Sequence, residues 1–486
     1  MASTNFNLFS FSGKMKTLHM TWFAFFLTFV VWFNLAPLLL SIKETFGLTG
    51  AQVKSLLVLN VAMAIPARIL VGMATDKYGP RKVYSALLFT AAIPCFFFAF
   101  AQNYAQLAIA RFALGFVGAG FVVGIRMVSE WFPHNELGTA EGIYGGWGNF
   151  GSAAAAFTLP AIALMFGGEN GWRYAVALTG AIMMAYSFVY YWGVRDVPEG
   201  SHYFKPKSSR SMLVTSKKDL NFLLIMKIPL YVALGLLAWN LTKVGLLTPS
   251  LKVGVWIGLA VVYLLDALNT YKANMPDIEA GIPENQQYKF KNVAVLNILY
   301  FATFGSELAV VSMLPLFFAE TFGLSPVAAG MVASAYAFMN LMSRPGGGYI
   351  SDRLGRRSTL LFLTAGLAVG YFAMSMVGSS WPLWLAVVAA MACSFFVQAG
   401  EGAVFAVVPL IKRSQTGAIA GMTGAYGNVG AVVYLVIYAL VPASTFFMVI
   451  AATAVLGFIT LLFLEEPKGE IAEVTEDGTV QMIAVG

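Results

Sequence analysis

Two arginines stand where an arginine is costly. Arg68 and Arg344 each lie eight residues before an aspartate, Asp76 and Asp352, inside otherwise apolar stretches. Eight residues of helix at about 1.5 Å each rise about 12 Å, against a hydrocarbon half-thickness of about 15 Å. Both guanidiniums are therefore expected near a membrane midplane, where an arginine costs about 2.5–3.5 kcal/mol on the most lenient scale. Burial of that kind implies either a buried acid or a bound anion. Glu141, Glu307 and Glu401 are candidate acids, but none is helically adjacent to either arginine. The arginines are also related to each other: Arg68, Gly72, Asp76, Gly79 and Arg81 recur as Arg344, Gly348, Asp352, Gly355 and Arg357, all 276 positions on, and ETFGL at 44–48 recurs at 320–324 in the same register. Two repeat-related cations facing one cavity repel unless an anion lies between them. An anion site is the favoured reading, with a structural ion pair as the alternative.

A second constellation repeats as well. Gly142, Gly145, Gly148, Asn149 and Gly151 return as Gly421, Gly424, Gly427, Asn428 and Gly430, each 279 positions later. Glycines three residues apart bare one helix face, which lets helices approach closely in lipid and lets a small ligand reach the backbone, for example at Gly145 and Gly424. Close packing alone accounts for most of these glycines. Asn149 and Asn428 add an uncharged donor at the same point of each copy.

The elements that must carry these residues are membrane helices. Hydrophobic residues make up 59% of the chain and charged ones 11%, against roughly 45–50% and about 25% in soluble domains. The apolar runs are unalternating and long enough for helices, which excludes a closed barrel. Twelve spans are expected near 18–41, 52–75, 83–101, 104–131, 137–166 and 172–194, then 292–318, 326–350, 358–378, 381–410, 416–440 and 444–464. Lysine and arginine collect on one side of this order (Lys14, Lys16, Lys77, Arg81, Lys82, Arg353, Arg356, Arg357, Lys412 and Arg413), which makes that side, with both termini, cytoplasmic. The division is then an N-terminus 1–17, a six-helix bundle 18–194, a linker 195–291, a second bundle 292–464 and a tail 465–486. Inside the linker two further apolar stretches, 222–248 and 253–271, read as extra helices. An interfacial placement stays open because Lys227, Asn240 and Lys243 interrupt the first and the second is short. The acidic tail is expected to be disordered.

Other function classes find little material. The net charge of +7 is explained by basic loops beside membrane spans, so no nucleic-acid partner is implied. Two cysteines in apolar runs imply no disulfide, and three histidines leave no metal site. An enzyme would need a converging cluster of acids, histidines or cysteines, so no catalytic residue, metal or cofactor is expected.

GxxxDxxGxRK at Gly72–Lys82, with its echo at Gly348–Arg357, resembles the loop signature of the major facilitator superfamily, and Arg111 with Gly115 is similar to a second signature. In these loops Asp76 and Asp352 end helices, Gly79 and Gly355 permit tight turns, and basic residues such as Arg81 and Arg357 can pair with the aspartates or with helix C-termini. They read as a latch and topology signal that does not touch substrate. The paired GN patterns are similar to the signature of the nitrate/nitrite porter family, and KFKNVAVLN resembles its cyanobacterial members. The resemblance covers both six-helix halves, with 222–271 outside it. It implies an all-α major facilitator fold of two pseudo-two-fold-related bundles plus the two extra helices, in a bacterial inner (plasma) membrane. It further implies Arg68 and Arg344 on the anion, with Tyr300, Phe304 and Phe121 as aromatic walls. The expected activity is uptake of nitrate and nitrite by a monomer in the lipid bilayer, with protons as co-substrate. Exchange of nitrate for nitrite, or transport of another anion, remains the alternative. Two fixed cations against one anion leave a positive surplus, so a titrating carboxylate at the site is not required. Glu307 and Glu401 are the first candidates for proton coupling, and pairing with polar groups of neighbouring spans is as good a reading of both.

Overall fold

The computed structural model describes residues 6–206, 211–324, 326–438, 440–467, 469–474 and 480–484. Long apolar helices dominate them. In chain order they are α1 (Gly13–Leu38), α2 (Gly50–Tyr78), α3 (Pro80–Ala99), α4 (Tyr104–Trp131), α5 (His134–Phe166), α6 (Gly171–Gly193), α7 (Lys217–Lys243) and α8 (Pro249–Ala280). Then come α9 (Phe290–Ala302 continued as Phe304–Phe322) and α10 (Pro326–Phe338 continued as Asn340–Leu354). The last four are α11 (Arg356–Ser375), α12 (Leu383–Leu410), α13 (Arg413–Tyr438) and α14 (Ala443–Leu461). Among the described residues, thirteen of these stretches are long and apolar enough to cross a membrane. The other is α10, whose second piece carries Arg344, Asp352 and Arg353.

Local signals set several helix starts. Thr49 and Gln52 form a reciprocal capping box before α2, and Asn103, Ser216 and Thr248 accept from the first turns of α4, α7 and α8, satisfying donors that lack helical partners. Gly79 and Gly355 take φ of +86° and +91°, a region open to glycine at little cost, and so turn α2 into α3 and α10 into α11.

The two halves meet through repeat-related helix pairs. α5 of the first half packs along α10 of the second, and α13 of the second packs along α2 of the first. Each glycine-rich helix thus lies against the arginine-bearing helix of the other half. A Cβ on Gly142 would stand 2.6 Å from the Arg344 carbonyl oxygen, and one on Gly421 would stand 2.6 Å from that of Arg68. Close packing is what these glycines provide.

The loop aspartates act across the same seams. Asp76 accepts from the backbone N–H of Gly417 (2.8 Å) and Ala418 (2.7 Å) in the first turn of the α13 helix. Asp352 accepts from Gly138 (3.0 Å) and from the backbone (2.8 Å) and hydroxyl (2.9 Å) of Thr139 at the start of the second turn of α5. Carboxylates are favoured at helix N-termini, where free N–H groups and the dipole meet them. The expected loop pairings hold in part: Arg356, four residues after Asp352, lies 3.8 Å from it, and the Leu462 carbonyl that Arg357 reaches is the C-cap of α14, while the cation beside Asp76 is Arg126 of α4 at 3.6 Å. Arg81 instead donates its backbone N–H to Asp196 and lies over Tyr191, and Arg357 donates to the Leu462 carbonyl.

α7 and α8 form an antiparallel hairpin. The second is not short: it runs for 32 residues. Lys227, which interrupts the apolar pattern of the first, is paired inside the hairpin, donating to Asp266 (2.9 Å) and Thr270 (2.7 Å) while Tyr231 donates to Asp266 (3.0 Å). Asn240 accepts from Ser55, and the Lys243 ammonium lies 3.7 Å from the Trp239 ring centroid. Each polar interruption has found a partner, so none forces the hairpin out of an apolar medium.

The tail departs from the expectation of disorder. Glu470–Val474 (β1) and Val480–Ala484 (β2) form an antiparallel hairpin. Glu473, 1% exposed, accepts from the backbone N–H groups of Arg413 (2.8 Å) and Ser414 (3.3 Å), and Lys412 donates to the Ala472 carbonyl. Residues 468, 475–479 and 485–486 of the tail lie outside the described ones.

Replacing Gly421 with valine must push α13 off α2. A loss of stability of about 1–3 kcal/mol is expected, read as a lower thermal midpoint of the detergent-purified protein. Gly254→Ala, where nothing lies within 4 Å, is the silent control.

Candidate functional site

Arg68 and Arg344 meet at the seam between the halves, 0% and 1% exposed. Each is placed by a helix whose neighbour lacks side chains at the point of contact. Arg68 donates Nε to the Gly118 carbonyl (3.0 Å) and Nη1 to the Gly424 carbonyl (2.9 Å). Its Nη2 has no hydrogen-bond partner among the described residues, and no carboxylate there pairs with it. Arg344 differs. Its Nη1 donates to Glu401 at 2.5 Å and its Nη2 to the Tyr300 hydroxyl at 3.1 Å, while a Cβ on Gly145 would come within 2.4 Å of its Nε.

This corrects the charge count read from the sequence. The structural ion pair, set aside there in favour of two free cations, is realised at Arg344 through a residue 57 positions away. The site therefore holds a carboxylate, and its one unneutralised guanidinium is Arg68. The positive surplus is smaller than two fixed charges.

Aromatic rings fill the space between the arginines. The Arg68 guanidinium carbon lies 4.8 Å from the Phe304 ring centroid and 5.4 Å from that of Phe121, and the Arg344 guanidinium carbon lies 5.0 Å from the same Phe121 ring. One ring thus contacts both charges. Tyr300 lies parallel to Phe121 (centroids 6.1 Å, 6°) and to Phe304 (5.0 Å, 11°). Phe405 meets Phe121 and Tyr300 edge-on at 4.5 and 4.8 Å. Such rings attract cations with their faces and keep water out.

Phe405 was missed in the sequence, although a signal exists. Gly402–Ala–Val–Phe405 echoes Gly118–Ala–Gly–Phe121 at an interval of 284, so the two phenylalanines come from equivalent places in α4 and α12. Trp32 was missed too. Its indole donates to the Asn60 carbonyl (2.8 Å) while its own carbonyl accepts from Asn60 and Arg111, and its ring centroid lies 5.8 Å from the Arg68 guanidinium carbon. Arg111, singled out as a signature residue, thus helps to fix the ring beside Arg68.

The two asparagines are not equivalent. Asn428 donates to the Gly424 carbonyl (3.1 Å), the oxygen that also receives Arg68. Asn149 donates to Glu307 (3.5 Å), which is held further by Asn340 (2.6 Å) and Gln398 (3.4 Å). Both asparagine Oδ1 atoms are buried without a partner among the described residues. Glu307 therefore sits in a cradle of amide donors, and Glu401 is held by Arg344.

A profile described as Major Facilitator Superfamily matches residues 21–271 and 296–484. The chain is 49% identical to a nitrate/nitrite transporter, NrtP, of Picosynechococcus sp., over 98% of this chain and 97% of that one. It is 46% identical to the NrtP nitrate/nitrite transporter of Nostoc punctiforme, over 96% of each. Among solved structures, the human organic anion transporter MFSD10 superposes with a TM-score of 0.64 at 14% identity, covering 93% of this chain and all of that one; at that identity the likeness is one of fold.

Glu401→Gln removes the partner of a buried cation, a change that costs about 3–5 kcal/mol when nothing replaces it. The variant is expected to unfold at a lower temperature, with small monovalent anions restoring more stability to it than to the unmodified protein in a thermal-shift titration.

Proposed function

We propose that this chain, which belongs to the major facilitator superfamily and within it to the nitrate/nitrite porter family, imports nitrate and nitrite by alternating access with protons as co-substrate. The observation that carries this reading is Arg68, fully buried, without a carboxylate partner and with a free Nη2 beside parallel aromatic rings. An anion there completes the charge balance. Nitrate is planar, monovalent and weakly hydrated, and a guanidinium presents planar paired donors that match its oxygens. The stack of Phe121, Tyr300 and Phe304 suits a flat guest, with Phe405 as a further wall. Asn149 and Asn428 close the set, and Gly145 and Gly424 make room for the arginines that contact the anion.

In this reading the basic loops, with Asp76, Asp352 and both termini, face the cytoplasm from the inner membrane of a bacterial cell, which the positive charge of those loops supports. The cytoplasmic seam is then the clasped one. Inward opening consists of Asp76 leaving the α13 N-terminus and Asp352 leaving that of α5, while the halves rock about the arginines. Import of an anion into a negative interior is uphill by about 2.3 kcal/mol per 100 mV, and proton entry offsets it. No cofactor or metal is needed for this cycle, and one copy of the chain is enough.

Nitrate and nitrite uptake into proteoliposomes under an imposed pH gradient tests the reading. Uptake driven by the gradient is expected, and it should vanish in Arg68→Ala. Unchanged uptake in Arg68→Ala rejects the site, and uptake that needs internal nitrite but no gradient assigns exchange instead. Arg68→Lys keeps the charge but loses the planar fork. Loss of one charge-assisted bond of about 1.5–3 kcal/mol should raise the half-saturating nitrate concentration roughly ten- to a hundredfold.

A further inference from the structure

Glu141 is the buried carboxyl that the anion site does not employ. It lies on the first part of α5, 1% exposed, and neither of its oxygens has a hydrogen-bond partner among the described residues. The other two interior acids are held, Glu401 by a guanidinium and Glu307 by three amides. An ionised carboxylate with no donor in a dry seam is costly unless a cation's field offsets it, so the group is neutral when the seam closes over a screened Arg344. The repeat makes its presence more telling. The position 279 residues on is Ala420, so the equivalent helix of the other half packs in the same way without an acid there.

The surroundings give this carboxyl a reason to titrate with the transport cycle. Arg344, on α10 across the seam, is the charged group whose field reaches it, and Tyr144 is the titratable neighbour on its own helix. Other buried charged groups on elements packed against α5 have partners among the described residues. Asp352 of α10 is held by Gly138 and Thr139, Glu401 of α12 by Arg344, and Glu307 of α9 by its amides. Arg126 and Glu130 of α4 pair with each other, Lys14 of α1 pairs with Glu136, and His19 of α1 bonds the Leu8 carbonyl and Trp22.

We propose that Glu141 is the proton-carrying group of the transporter, a proposal that rests on the proton-coupled reading above. An anion held by Arg68 beside Arg344 screens the Arg344 guanidinium, and Glu141 then takes a proton from water on the outer side. The closed seam accepts the neutral acid. When α5 parts from α10, cytoplasmic water reaches the carboxyl, the anion leaves and the proton follows, one proton entering with each anion. The empty carrier recloses with the carboxylate facing Arg344, whose field it then shares with Glu401 but with no anion.

The test uses the full chain in proteoliposomes with nitrate as the probe, measuring accumulation under a pH gradient and nitrate counterflow without one. In Glu141→Gln, gradient-driven accumulation should be lost while counterflow continues, and Glu141→Asp, which keeps an acid, should still accumulate. Accumulation by Glu141→Gln equal to that of the unmodified protein overturns the proposal. Loss of counterflow together with accumulation in Glu141→Gln assigns the carboxyl a structural role and overturns it too. If the unmodified protein ignores the gradient, the proton-coupled reading itself fails, an outcome distinct from either.

Discussion

The arrangement depends on a buried cation with no anion of its own. Arg68 cannot be rescued by snorkelling from the depth at which it sits, and two backbone carbonyls neutralise only part of its charge. Everything near it follows from that deficit. Carbonyl oxygens of Gly118 and Gly424 point at it, the faces of Phe121 and Phe304 lie against it, and acids stay out of its reach. A protein that needed only a stable seam would have placed a carboxylate there, as it does at Arg344. An open deficit of this kind is what the proposed anion site requires.

Glycine makes the deficit possible at the seam. With side chains at 142 and 421 the helices α5 and α13 would stand farther from α10 and α2, and carbonyls such as that of Gly424 would not reach a guanidinium of the other half. The same close approach brings helix N-termini within reach of Asp76 and Asp352. Arginine, glycine stripe and aspartate thus form one seam, used twice, with the buried guanidinium eight residues before the aspartate of the clasp. Weakening either end changes how readily the halves part, because both belong to the same pair of helices.

Much of this was legible in the sequence because duplication writes the same chemistry twice. Arg68 with Arg344, and Asn149 with Asn428, could be found by interval alone, and apolar runs with basic loops gave the helix order. What escaped lay where contacts run between elements distant in sequence. Glu401 is 57 residues from Arg344 and on another helix, so no periodicity links them, yet it changes the charge of the site. Arg126, the cation beside Asp76, comes from α4 rather than from the loop that holds the aspartate. The tail was read as disordered from its acidity, but one of those acids, Glu473, is what docks it. Lys227 looked like an interruption because its partner, Asp266, lies on the next helix.

The departures from symmetry carry the remaining argument. Two identical halves would bind an anion and rock, but they would contain nothing to link that motion to an energy source. The halves differ where acids are concerned: Glu401 neutralises one arginine and not its counterpart, Glu307 is cradled by amides beside Asn149 and not beside Asn428, and Glu141 faces Ala420 across the repeat. A guanidinium that is already paired is a poor trap for an anion, but its field is adjustable, since a bound anion and a nearby acid both act on it. In the proposed cycle Arg68 supplies affinity, and Arg344 supplies communication between the anion and the carboxyls around it. The duplication accounts for the scaffold, and its breaks are where coupling has to be sought.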